Sequence, residues 1–172
     1  VESLANGNLD LLFASLVHSW DKEPSIDFSQ AYVVDSQRLL VRASDTISTV
    51  ADLGGRTVAV INGSAAEKNL IELAQQTGVA IEIVPFQELP AAIAALAANQ
   101  VDAVTEGELS LASYASQNPD LKVVGENIAV QPLSIGVPNY DKHLHDLVNF
   151  TLQEMKVEGT YDRIFAKWFG ND

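Results

Sequence analysis

Two short stretches of this chain carry groups that could hold or work on a small polar molecule. In Gly63-Ser64-Ala65-Ala66-Glu67 a hydroxyl residue stands three places before a glutamate, the spacing of a capping box at the start of a helix. The backbone N–H groups left open in such a turn attract an anion, although a plain helix cap accounts for the same residues. In Glu106-Gly107-Glu108 two acids flank a glycine after an apolar run. A glutamate at a strand end is ordinarily solvated, and becomes a general acid only if burial raises its pKa. A third stretch, Ser15 to Lys22, mixes Val17, His18, Trp20 and Lys22 in a polar loop. Trp20 could stack on a ligand or simply pack locally. His18 stands without a second convergent ligand, so no metal is expected there, and His143 and His145 flank Leu144 of an apolar stripe and are expected to face solvent.

Composition narrows the chemistry. The 172 residues contain no cysteine, which removes disulfides, thiolate zinc sites and cysteine nucleophiles. Ten Lys and Arg stand against 23 Asp and Glu, a formal net charge of -13. That charge repels phosphate backbones, so no nucleic-acid partner is expected. With 47% apolar residues the chain can build real cores. It has no apolar run of about 18 residues and no signal-peptide pattern at Val1.

The elements that must position these groups alternate. Thr57–Ile61 (TVAVI) reads as a buried strand and residues 64–76 as a helix. Residues 81–86 make a strand, 88–99 a helix, 101–105 a strand, 108–117 a helix and 121–124 a fourth strand. This predicts a parallel βαβαβαβ lobe. Around it, residues 9–14 read as a strand and 37–42 as an extended run. Residues 133–137 return as a strand, and 141–157 form a helix with Leu144, Leu147, Val148, Leu152 and Met155 in a stripe. A last helix gathers Tyr161, Ile164, Phe165, Trp168 and Phe169 on one face. Extended crossings near 39–45 and 128–136 enclose one lobe within another. The predicted organisation is lobe 1 from 1–42 and 133–172, and lobe 2 from 43–132, with a ligand cleft between them. Lobe 1 then has too few strands to cover its two C-terminal helices. The chain is expected to begin inside a βαβ unit.

The order of motifs resembles the family 3 bacterial extracellular solute-binding proteins, polar amino-acid binders of the periplasmic-binding-protein-like type II fold. The matching residues are Leu4-Ala5-Asn6-Gly7-Asn8-Leu9-Asp10, Ile26-Asp27-Phe28-Ser29 with Tyr32, and Leu39-Leu40-Val41-Arg42. They continue with Asp52-Leu53-Gly54-Gly55-Arg56-Thr57-Val58-Ala59-Val60, Gly63-Ser64 and Val101-Asp102-Ala103-Val104. The last are Glu158-Gly159-Thr160-Tyr161-Asp162 and Lys167-Trp168-Phe169-Gly170. Each is weak alone; their shared order is specific. The resemblance implies a two-lobed α/β protein, exported to the periplasm or cell exterior, that captures an amino acid or similar ligand for an ABC transporter permease without a cofactor. It also implies that roughly 50 to 70 residues of a βαβ start precede the segment matching Val1. The chain is then a fragment, has lost that piece, or completes its sheet with another chain as a dimer through lobe 1.

The resemblance further implies ligand contacts at Ser15, Val17, Lys22, Gly63, Ser64, Ala65, Glu106 and Gly107, with Trp20 lying between the first of these as a residue that could stack on the ligand. A family Arg that grips the ligand carboxylate falls on Lys22, which keeps the charge and loses the bidentate fork. A Thr hydroxyl falls on Val17, and a small residue with a ligand-facing backbone on Ser15. The acid that meets the ligand ammonium falls on Gly107, with Glu106 or Glu108 as substitutes. Asp102 recurs as a structural strand-start residue. These departures leave the ligand open. Two other readings stay available: the sensing input domain of a receptor, and a dehydratase-like enzyme using Glu106 or Glu108. No nucleophile–base pair or phosphate loop in the sequence supports the enzyme.

Overall fold

The structure is a computed structural model that describes residues 1–169; Gly170, which ends the last quoted motif, lies outside the described residues. The elements in chain order are α1 (Glu2–Ala5), β1 (Asp27–Phe28), β2 (Val33–Arg42), a 3-10 turn (Val50–Leu53), β3 (Thr57–Ile61), α2 (Ala65–Thr77) and β4 (Glu82–Phe86). They continue with α3 (Leu89–Ala97), β5 (Ala103–Gly107), α4 (Glu108–Gln117), β6 (Leu121–Leu133), β7 (Gly136–Val137), α5 (Lys142–Val157) and α6 (Thr160–Phe169). The chain forms two compact units, one from Val1–Val34 with the segment from Pro132 onward, the other Asp35–Gln131. The boundary at 34/35 falls earlier than the 42/43 expected from sequence. The reason is pairing: Gln37 to Leu40 are in register with Gly107 to Val104 of β5, which ties residues 35–42 to the second unit.

In the second unit the β-branched run of β3 lies in a five-stranded sheet of order β4-β3-β5-β2-β6. β3 is parallel to both β4 and β5, whereas β2 is antiparallel to β5. The fourth predicted strand does not extend the parallel set. β6, thirteen residues long, lies next to β2 at the opposite edge from β4. Strand alternation sorts the side chains by face. Leu39, Val41, Val58, Val60 and Ala103 pack with Leu70 of α2, and Leu40, Ala59 and Val104 pack with Ile93 and Leu96 of α3 and Leu111 of α4. Both faces are therefore covered, which is what continuous apolar strands require. α2 stops at Gly78, whose φ of 70° is left-handed and whose N–H caps the Ala74 carbonyl.

Asp102 has the structural role expected for it. Its Oδ2 accepts from the Thr57 N–H at 2.9 Å and the Thr57 hydroxyl at 3.0 Å, joining the starts of β3 and β5. Partial burial pushes this carboxyl up, but the Thr57 hydrogen bonds with the Arg56 and Arg42 charges outweigh it and hold it below the usual range.

The first unit is built differently. β1 pairs antiparallel with β7, over a small core of Leu4, Ile26 and Phe28 with Leu12 and Leu16 against it. Residues 9–14 do not form the expected strand. Leu12 and Val17 make isolated antiparallel bridges to Gly136 and Leu133, interrupted by the bend at Ala14 and Ser15. Leu9, Leu11 and Phe13 consequently stay exposed while Leu12 turns inward. On α5, Leu152 is buried but Leu147 is 54% exposed, so Leu147 leaves the predicted stripe. The α6 aromatics do share a face, with the Tyr161 and Phe165 rings 6.0 Å apart and Phe165 and Phe169 5.1 Å apart. That face is open, with Trp168 70% exposed. His145 corrects another expectation. Its Nε2 lies 3.1 Å from the Phe28 carbonyl oxygen and 3.1 Å from Asn149 Nδ2, so the ring binds α5 to β1 instead of facing water.

Candidate functional site

The second unit brings two of the predicted stretches onto one sheet face. At the first, Ser64 adopts extended backbone before α2 and its hydroxyl accepts from the Glu67 N–H at 3.1 Å. The Glu67 carboxylate reaches past the cap to accept from the Gly63 N–H at 2.7 Å. The N–H groups of Ala65 and Ala66, in the first turn, have no intrahelical acceptor by the geometry of a helix start. The turn is fixed from below by Gln37 of β2, which is fully buried. Gln37 Nε2 donates to the Ala66 carbonyl and to Thr105 Oγ1, both at 3.0 Å, and its Oε1 accepts from Asn69 Nδ2 at 2.9 Å. With partners on both ends, the Gln37 amide locks the start of α2 to β2 and β5.

At the second stretch, Gly107 lies opposite Gln37 and Glu106 opposite Arg38. Alternation puts Asp35, Gln37, Thr105 and Gly107 on the face that carries α2, and Glu106 and Arg38 on the other. Sequence reasoning missed Asp35. It is 6% exposed, and its Oδ1 accepts from the Ser36 N–H at 2.7 Å and the Leu109 N–H at 3.2 Å. A Cβ placed on Gly107 would collide with Asp35 Oδ2 and lie 3.2 Å from Gln131 Oε1. The missing side chain at 107 is thus matched by a carboxylate arriving from β2. Burial pushes the Asp35 carboxyl above the usual range, against the pull of the Ser36, Leu109 and Glu108 N–H groups. A signal was present in the sequence: Asp35 and Gln37 share the parity of Leu39 and Val41, so two polar residues continue a buried row.

Glu106 is also pushed up, first by burial and further by the Asp35 charge, while its Oε1 accepts from the Gly107 N–H at 3.1 Å. Glu108 lies 3.5 Å from Arg38 Nη1. Arg38 Nε and Gln131 Nε2 are buried without a hydrogen-bond partner among the described residues.

The remaining predicted residues belong to the first unit. Ser15 is exposed at the bend, and Val17 is half-buried in its bridge to Leu133. Trp20 is 84% exposed. Lys22 Nζ donates to Ser19 Oγ at 2.9 Å. His18 stacks on Phe28 with ring centroids 4.4 Å apart, and its Nε2 meets Glu23 at 2.8 Å, so the ring is held by local packing. A depression of about 250 Å³ in the second unit, lined by Val50, Leu73, Thr77 and Ile128 among others, includes none of the predicted site residues.

The family model for bacterial extracellular solute-binding proteins, family 3, matches residues 1–171. The ABC transporter glutamine-binding protein GlnH of Bacillus subtilis (strain 168) is 30% identical over 173 residues, covering 100% of this chain and 62% of that protein. Membrane-bound lytic murein transglycosylase F of Desulfosudis oleivorans is 30% identical over 97% of this chain, but only 37% of that protein is covered. Among solved structures, an ancestral arginine-binding protein bound to glutamine superposes with a TM-score of 0.88 at 32% identity, over 99% of this chain and 75% of that one. The mixed α/β architecture of sheets flanked by helices is therefore part of the type II periplasmic-binding-protein fold. This chain belongs to the family 3 bacterial extracellular solute-binding proteins.

Proposed function

We propose that the protein of which this chain is a part captures an amino acid outside the cytoplasm and presents it to an ABC importer. The observation that carries this reading is one face of the second unit, where the Ser64-capped start of α2 and the end of β5, with Asp35 over Gly107, are joined through Gln37. A helix start suits the ligand carboxylate and a buried acid suits its ammonium, the two charges every free amino acid carries. The names of the glutamine-binding relative and of the arginine-binding structure bound to glutamine support that class of ligand. In the first unit the same reading assigns ligand contacts to Ser15, Val17, Trp20 and Lys22. Calorimetric titration of the full-length protein with the common amino acids is the test. Micromolar or tighter binding of at least one is expected, and no heat with any of them overturns the reading.

Binding without catalysis is preferred over the enzyme reading because both candidate general acids are engaged, Glu106 by the adjacent Gly107 N–H and Glu108 by Arg38 at 3.5 Å. The transglycosylase relative gives little weight to the alternative, since about two thirds of that protein has no counterpart here. Pairing of two copies through the first unit is supported by its exposed Phe13, Phe150 and Trp168. Sedimentation equilibrium of the full-length protein reads it directly, and a monomer at all concentrations removes it.

A further inference from the structure

We infer that Asp35, with Gln131 beside it, is the residue that receives the ligand's α-ammonium group, from a position on β2 instead of the end of β5. The inference rests on the amino-acid reading above and deepens it. Position 107, at the end of β5, has no side chain at all, and a Cβ there would run into Asp35 Oδ2. The same point lies 3.2 Å from Gln131 Oε1, so two acceptor oxygens from two different strands meet over the Gly107 backbone. Two acceptors converging on one small space are the arrangement a primary ammonium needs.

A second observation points the same way. Gln131 is 2% exposed, yet its Nε2 has no hydrogen-bond partner among the described residues. A buried amide with an idle donor has lost its water without compensation, and that cost is recovered when a ligand supplies the missing partner. An amino acid offers an acceptor close to its ammonium. Asp35 is already oriented to meet the cation, because the Ser36 and Leu109 N–H groups both bind Oδ1 and leave Oδ2 as the atom nearest Gly107. Asp35 also stands two residues before Gln37 on the same face. That separates it from the residue gripping the α2 start by roughly 7 Å along the strand, so that one small ligand can meet both.

The alternative acids fit less well. Glu106 has the opposite parity, opposite Arg38 on the face away from Gln37. Glu108 lies beside Arg38.

The test uses the full-length protein with L-glutamine, whose only cation is the α-ammonium, and with L-arginine. Asp35→Asn keeps an acceptor for Ser36 and Leu109 while removing the charge. It is expected to weaken each amino acid that the wild type binds by about 100-fold or more, as loss of one partner of a buried charged pair does. Glutaramic acid, which is glutamine without the amino group, should bind the wild type and Asp35→Asn within about threefold of each other, since a ligand without the cation gains nothing from the pair. The double variant Asp35→Ala with Gly107→Asp moves the acid to β5 and is expected to recover most of the lost affinity. A residue that merely holds the fold would show no such recovery. If Asp35→Asn binds as the wild type does, or if the transplanted acid restores nothing, the inference is overturned while the amino-acid reading stands. If the wild type binds no amino acid, both fall.

Discussion

The two units differ in how their apolar surface is covered, and that difference separates fold from exposure in this chain. In the second unit each strand face meets a helix, and Leu39, Leu40, Val58, Val60, Leu70, Leu96 and Leu111 are fully buried. In the first unit the core is smaller, gathered around Leu4, Ile26 and Phe28, and Leu9, Phe13, Leu147, Phe150 and Trp168 remain at the surface. The chain spans 62% of the glutamine-binding relative that it matches. Helices of both units carry an apolar face, so patterning reports which face wants cover and not whether cover is present.

The sharpest way to break the contrast is to cut into the better-packed core. Leu39→Ala removes a fully buried side chain in contact with the Val58, Val60 and Leu70 cluster. It is expected to cost about 3 kcal/mol, read as a lowered urea midpoint.

A smaller effect of opposite sign is expected at Glu106→Gln. The folded-state pKa of Glu106 is raised, mainly by burial, so its contribution to stability is fully present below the unfolded glutamate value of about 4.3 and is lost as pH rises through the folded value. Charged Asp35, Glu108 and Arg38 lie around it. Removing the charge while keeping an acceptor for the Gly107 N–H should raise the melting temperature at pH 7 and leave it nearly unchanged at pH 4. An equal shift at both pH values would place the effect in packing instead.

The smallest effect belongs to the first unit. Trp168→Ala, at a 70% exposed site, should change stability by less than about 0.5 kcal/mol. A larger loss that grows with protein concentration would show that the face is covered by a second copy.

Much of the fold could be read from the sequence, and the residues show why. β3 and α4 begin and end where local patterning puts them, because β-branched runs and caps act over a few neighbours. Ser64 and Gly78 likewise bound α2 through bonds spanning three or four residues. Residues 9–14 misled for the same reason: they have a strand's pattern, but their partner is the segment near Gly136, reached only by isolated bridges.

For the site, the sequence by itself determined a capped helix start at Ser64, acids at the end of an apolar strand and the absence of a side chain at 107. It could not determine what fills the place over Gly107. That was decided by the register of β2 against β5, which sets Gln37 opposite Gly107 and brings Asp35 to the Leu109 N–H across 74 residues of chain. A one-residue slip of that register would turn Asp35 to the other face. Tertiary pairing therefore chose which carboxylate the site presents, because strand register is fixed by long-range hydrogen bonding and by the burial of a whole row of side chains.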